Sequence, residues 1–346
     1  MLKTAVCGGS GYAGAELLRL LTRHPHVKVT AVTSEQSSGK KVTDLFSSLS
    51  PYANTVFEPL IKEDLLKKAD IFFLALPHAA SQEAVNFFYR NGKKVIDLSA
   101  DFRLSDPSVY EQWYKVPHQY KSTLKKAVYG MPELHRKAIK KASLVANPGC
   151  YPTGAVLGLY PALKSSLIHP EGIVIDSKSG TSGAGRKSEV AYSYCEVNEG
   201  FKAYSIATHR HTPEIEQELS RIAKKEIVVN FTPHLLPVDR GILSTIYGTL
   251  SKKADTSSLL KLYRKIYADE PFIKVLDDGA LPNIKNVRGT NFCEIGIKVN
   301  SRTDTLIIVT SIDNLVKGAA GQAIHNMNIM LGLPETTGLD SLAVFP

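Results

Sequence analysis

The chain has 346 residues, 43% hydrophobic and 22% charged, with 42 Lys and Arg against 33 Asp and Glu for a formal charge of +9. That length and composition suit a globular protein of two domains. The basic residues fall in scattered pairs (Lys40-Lys41, Lys67-Lys68, Lys252-Lys253) rather than in a long like-charge run, so small anionic ligands are expected and a nucleic-acid or membrane partner is not.

The N-terminus leads straight into an apolar run and a glycine loop and does not read as a signal peptide, so no secretory leader is expected, and no apolar stretch reaches the roughly 18 residues of a membrane span. The four cysteines, Cys7, Cys150, Cys195 and Cys293, lie far apart without metal-type spacing. They fit a reducing cytoplasm and neither a metal site nor a disulfide scaffold.

Up to about residue 150 strands and helices alternate. KTAVCG (3–8) reads as a strand, and YAGAELLRLLTRH (12–24) as a helix with Leu17, Leu18 and Leu21 on one face. VKVTAVT (27–33) and ADIFFLALP (69–77) are further strands, the second apolar throughout, as buried parallel strands are. A helix over 79–92 stops at Gly92, and strands follow at 93–99 and 142–149. This rhythm predicts an α/β fold, a Rossmann-type doubly wound parallel sheet.

After about residue 165 the pattern changes. Runs at 171–180, 226–238, 241–250, 291–301 and 305–313 are rich in Val, Ile and Thr, and helices at 212–225 and 257–270 separate some of them. The expectation is an α+β catalytic domain with a largely antiparallel sheet. A long helix from 315 ends near Gly332. The expected boundaries are 1–149, completed by 315–346, for dinucleotide binding, and 150–314 for catalysis and subunit contact.

The loop VCGGSGYAG holds Gly9-x-Gly11-x-x-Gly14 and equally Gly8-x-x-Gly11-x-x-Gly14. Between a strand and a helix such glycines permit a tight turn, close approach of a pyrophosphate, and helix–strand packing. Gly9, Ser10, Gly11, Tyr12, Ala13, Gly14 and, after the third strand, Pro77 are the candidate cofactor contacts. At the end of the second strand Ser34, Ser38, Lys40 and Lys41 favour a ribose 2′-phosphate, hence NADP(H); Glu35 argues for NAD. Cys150 lies just past the fifth strand, where a helix begins. A helix N-terminus lowers a thiol pKa from about 8.5 and offers amides to an oxyanion. Cys150 is therefore the candidate nucleophile, and the other three cysteines read as fillers.

GGSGYAG (8–14), NPGCYPT (147–153), SGTSGAGR (179–186) and ATHRHTPEIEQ (207–217) resemble the N-acetyl-γ-glutamyl-phosphate reductase family, in that family's order and over nearly the whole chain. The wider superfamily includes aspartate-semialdehyde dehydrogenase and phosphorylating glyceraldehyde-phosphate dehydrogenase. The resemblance implies NADPH-dependent reduction of a small acyl phosphate through a Cys150 thioester, in arginine biosynthesis, by a cytoplasmic homodimer or homotetramer. It places the acid/base histidine in HRH; His209 is favoured and His211 stays open, since residues two apart in an extended segment face the same way. It also implies Arg103 for the phosphate and Asn314 at the nicotinamide, where a helix N-cap is the structural alternative. Arg186, after the glycine-rich turn, is the candidate clamp for the substrate carboxylate, with Ser179 and Gly180 near cofactor or substrate, and a surface ion pair is the alternative for either arginine. The rival enzyme readings are aspartate-semialdehyde dehydrogenase and a carrier-protein-linked acyl-phosphate reductase. A Cys–His hydrolase and an NADP-sensing regulator are rivals from other classes.

Overall fold

In the computed structural model, which describes residues 1–186 and 188–344, the first apolar run forms β1 (Leu2–Cys7). Its inner residues are buried because strands flank it on both sides: β2 (Val27–Thr33) and β3 (Ile71–Leu74). The sheet continues through β4 (Lys94–Asp97) and β6 (Leu144–Ala146) to an edge strand, β5 (Val128–Tyr129). Every pairing is parallel and the order is β2-β1-β3-β4-β6-β5, the doubly wound sheet expected. The strand order, and not the strand direction, reverses between β1 and β3, and ligands of such sheets bind at that switch point.

Helix Tyr12–Leu21 buries Leu17, Leu18 and Leu21, the predicted face. Phe72 of β3 stacks on Phe88 of helix Gln82–Arg90 at 3.9 Å. Burying such a side chain contributes about 1.5–3 kcal/mol. These residues and the terminal helix Gly321–Leu331 belong to one unit, Met1–Pro148 with Ala319–Asp340.

The second unit, Gly149–Gly318 with the residues from Ser341, is built on a seven-stranded sheet. Its strands are β7 (Val174–Gly180), β8 (Lys202–Ala203), β9 (Asn230–Leu236), β10 (Ile242–Thr249), β11 (Ile273–Val275), β12 (Cys293–Asn300) and β13 (Thr305–Ile312). The order is β11-β12-β13-β10-β7-β9-β8, antiparallel except at β11–β12 and β7–β9. Burial alternates along β7, β9, β10 and β13, so one face is covered and the other is partly open.

Helix Cys150–Lys164 covers that face, buried all round rather than on one stripe. Gly154 and Gly158, one turn apart, let it lie close: a Cβ on either would come within about 3 Å of Thr310 of β13. Pro161, inside the helix, removes the amide that Leu157 O would accept. Tyr267 fills the gap, its hydroxyl donating to that carbonyl. Among the described residues no helix is long and apolar enough to cross a membrane.

The predicted terminal helix starts differently. Val316–Ala320 form a turn of π-helix before the α-helix, which does end at Gly332 in the left-handed region (φ 68°). β5 and β8 were not read from the sequence, because two-residue strands carry no period.

Candidate active site

The glycine turn assigns its glycines separate jobs. Gly8 makes the turn at φ 87°, and a Cβ there would lie 2.3 Å from Ala75 O. At Gly9 it would strike Val32 Cγ1 at 2.3 Å, and at Gly14 it would strike Gly8 O at 2.4 Å. Those three glycines are required by packing within the chain. Gly11 is not: its φ of −81° suits any residue, and a Cβ would meet only Gly8 O at 3.7 Å. Gly11 is the N-cap of helix Tyr12–Leu21 and brings no side chain to the first-turn amides. A dinucleotide pyrophosphate fits both features, accepting the uncapped amides and needing the space a side chain at Gly11 would take.

At the end of β2, Ser34 is buried, pairs with Ser10 at 2.7 Å and accepts from Ser37 N; Ser38, Lys40 and Lys41 are exposed. Glu35 is turned away, its carboxylate accepting from Leu60 N at 2.9 Å. The one group that favoured NAD is thus held by the backbone.

The turn after β3 is set from β4. Asp101 accepts from Ala79 N (2.8 Å), Ser81 N (3.0 Å) and the Tyr110 hydroxyl (2.8 Å), and Asp97 accepts from the Ser81 and Ser99 hydroxyls (2.8 Å each). This fixes Ala79 at φ 68° and leaves Pro77 exposed. Burial and the neighbouring Asp101 hold the Asp97 carboxyl above the usual carboxylate range. Arg103 is buried; its Nε donates to Asn147 O and a terminal nitrogen to Leu98 O, both at 2.7 Å, which ties together the carboxyl ends of β4 and β6.

In the other unit Cys150 is the first residue of its helix, half-buried, behind the N-cap Gly149. A Cβ on Gly318 would come within 2.7 Å of Cys150 Cβ, so Gly318 is the residue that lets the thiol fit. Cys7 and Cys293 are buried and Cys195 is exposed. Burial pushes the Cys7 thiol up to about 12, making it inert.

Tyr151, the next residue, has its ring 5.4 Å from that of His209 and 5.9 Å from that of His211. Tyr204 shares a hydroxyl hydrogen bond with Tyr151 (2.9 Å) and packs on His209 at 5.6 Å. The two imidazoles lie 4.9 Å apart. They come together through a turn, with Ser205 and Ala207 at positive φ, and not through the extended segment expected from the sequence. His209 Nδ1 accepts from His211 N at 3.1 Å. Burial and then the Arg210 charge lower the His209 pKa to about 4.

Gly180 must be glycine, because a Cβ would lie 2.8 Å from Arg240 N. Ser179 is buried and Arg186 exposed. Asn314 braces these loops, accepting from Gly241 N (2.8 Å) and donating to Ser182 Oγ (2.9 Å). Asp313 is the cap: its Oδ1 accepts from Leu315 N and Val316 N.

Sequence reasoning missed Glu214, Tyr204, Gly318 and Asp101. Glu214 is buried and accepts from Gly149 N at 2.8 Å. Its position as a first-turn acid in ATHRHTPEIEQ was the available signal. Among the described residues no group of three or more His, Cys, Asp or Glu is placed to hold a metal.

Two family profiles match successive parts of the chain. The profile described as "Semialdehyde dehydrogenase, NAD binding domain" matches residues 3–142, and that described as "Semialdehyde dehydrogenase, dimerisation domain" matches 150–314. Solved structures titled aspartate semialdehyde dehydrogenase share the fold at 17% identity. That of Candida albicans, described with NADP, has a TM-score of 0.74 over 96% of this chain and 99% of its own; that of Vibrio cholerae has 0.71 over 96% and 98%. Proteins named N-acetyl-gamma-glutamyl-phosphate reductase from Geobacter sulfurreducens and Desulfotalea psychrophila are 58% and 50% identical, each over 100% of both chains. Identity at that level over the full length, on a chain with a cysteine at a helix N-terminus and a cofactor-ready glycine turn, decides among relatives that share only the fold: the chain belongs to the N-acetyl-gamma-glutamyl-phosphate reductase family.

Proposed function

We propose that the chain reduces N-acetyl-γ-glutamyl phosphate to N-acetylglutamate 5-semialdehyde with NADPH, releasing inorganic phosphate, in arginine biosynthesis. The observation that carries this reading is Cys150, a half-buried thiol at the first position of a helix, with His209 and His211 packed on the adjacent Tyr151. The first-turn amides after Gly11 would hold the pyrophosphate, and Ser38, Lys40 and Lys41 the 2′-phosphate. When bound, the cofactor supplies the hydride for the thioester carbonyl.

Cys150 Sγ attacks the acyl carbon, the bond to the phosphate oxygen breaks, and phosphate leaves with the electron pair. The amides at the start of helix Cys150–Lys164 stabilise the oxyanions on either side of that step. The thiohemiacetal collapses when its C–S bond breaks and Sγ departs as thiolate. Arg186, exposed beyond the glycine-rich turn, suits the substrate carboxylate. Arg103, buried against two carbonyls, supplies positive charge at the sheet edge for the phosphate.

The histidines divide the proton work. His209 accepts at Nδ1, so its neutral ring carries the hydrogen on Nε2, and a pKa near 4 keeps it neutral at physiological pH. It serves as a hydrogen-bond donor, and we assign the proton shuttle to His211. The same reading includes a homodimer or homotetramer in the cytoplasm. Its supports are the dimerisation-domain profile over 150–314 and four free thiols, which suit a reducing compartment.

The test is NADP+ reduction with N-acetylglutamate semialdehyde plus phosphate, run beside aspartate semialdehyde, with NAD+ as the cofactor control. Turnover is expected with the first substrate and NADP+. Equal or faster turnover of aspartate semialdehyde refutes the substrate assignment, and equal use of NAD+ refutes the 2′-phosphate site.

A further inference from the structure

The helix Thr212–Ala223 has an N-terminus whose usual internal bonds are exchanged. In a capping box the acid at the third helical position turns back to the amide of its own N-cap. Here the N-cap is His211 and the acid at that position is Glu214. The His211 amide donates to His209 Nδ1 instead (3.1 Å), and Glu214 Oε1 accepts from Gly149 N (2.8 Å), the N-cap of the helix that starts with Cys150. Glu214 is 1% exposed, so this bond is made away from solvent competition. Its carboxylate lies at the N-termini of two helices at once and fixes both ends to one point.

We propose that Glu214 is a positioning residue for the nucleophile: by holding the Gly149 amide it sets where Cys150 Sγ stands relative to His209 and His211. The proposal rests on Cys150 being the nucleophile. The carboxylate's charge opposes a thiolate at the same helix end, so its value is geometric and not activating.

Glu214→Gln keeps an oxygen acceptor of the same reach and removes the charge. Glu214→Ala removes both. Glu214→Asp keeps the charge but falls short by one carbon–carbon bond, roughly 1.5 Å. Misplacement of that order costs about 10²-fold in turnover. Expected results are kcat down about 10²-fold for Ala and Asp, near wild type for Gln, and an unchanged NADPH dissociation constant throughout. Iodoacetamide should alkylate Cys150 at the same rate in the Gln and Ala variants, since both lack the charge and a small reagent ignores position. If Ala does not fold, Asp against Gln decides alone. Full turnover in Ala or Asp, or a loss in Gln as large as theirs, overturns the proposal. An active Cys150→Ser defeats the nucleophile reading itself; an inactive Cys150→Ser beside an active Glu214→Ala defeats only this one.

Discussion

At the scale of single residues, four thiols with similar intrinsic chemistry are separated by environment. Cys7 is sealed in β1 with its pKa pushed to about 12, Cys293 is buried in β12, and Cys195 is exposed. Cys195 lies in a single-turn helix, Tyr194–Val197, whereas Cys150 is half-buried at the first position of a fifteen-residue helix. Cys150→Ser is expected to bind NADPH as wild type, because the glycine turn is untouched, and to lose at least about 10³-fold in turnover. Iodoacetamide should label Cys150 and the exposed Cys195, with substrate protecting Cys150 alone. Retained turnover in the serine variant would return Cys150 to a packing role.

For the histidines the sign of the pKa shift decides. Lowered from 6.5 to about 4, His209 is neutral near pH 7, so an acid limb near neutral pH belongs to another group. His209→Asn should lower kcat yet leave the acid limb of the pH–rate profile where it was. His211→Asn should abolish or move that limb and cost about 10²–10⁴ in kcat. A limb that shifts with His209 and stays with His211 reverses the roles.

At the scale of elements, the glycine turn shows how one motif mixes folding and binding. A methyl at Gly14 would be forced to 2.4 Å from Gly8 O, and overpacking of that kind costs about 1–3 kcal/mol. A methyl at Gly11 meets nothing closer than 3.7 Å. Gly11→Ala is therefore expected to melt like wild type while losing about 10–100-fold in NADPH affinity, the worth of one displaced charge-assisted amide bond. Gly14→Ala should show a lowered Tm. Titration and melting curves separate the two, and normal NADPH binding by Gly11→Ala removes the pyrophosphate from this turn. In helix Cys150–Lys164, the same economy appears: Gly154 and Gly158 set its depth, and Tyr267 restores the bond that Pro161 removes.

At the scale of the molecule, each unit carries a partly or largely buried group that weakens it in acid. In the first, Glu335 accepts from His325 and bidentately from Arg136, closing residues after the terminal helix onto helix Pro132–Ile139. Burial alone would raise its pKa, but those bonds and charges take it down to about 2. A depressed carboxylate stabilises fully above its unfolded value of 4.5 and loses that contribution as pH falls towards 2. In the second, His209 is held neutral, so its contribution is complete above 6.5 and is lost as pH falls through about 4. Both effects act in the same direction. With solvent screening, Glu335→Gln should lower the Tm of its unit by about 2–4 °C near neutral pH, the equivalent of about 1 kcal/mol, and the gap should narrow below about pH 4.5 and close towards pH 2. A gap unchanged at pH 3 would falsify the assignment.

The alternation of strands and helices, the switch to an α+β pattern, the glycine loop and the cysteine at a helix start were all legible in the sequence. Each is a local consequence of apolar periodicity or of a residue type that only certain backbones tolerate. Tertiary structure alone decided what depends on contacts between distant positions. It chose Gly8 as the turn and Gly11 as the open position, and turned Glu35 onto Leu60. It also joined Glu214 to Gly149 across 65 residues. Periodicity reports which side of an element is buried. It carries no information about which buried group will stand opposite, because that is settled by how the elements pack and by which amides the packing leaves to be satisfied.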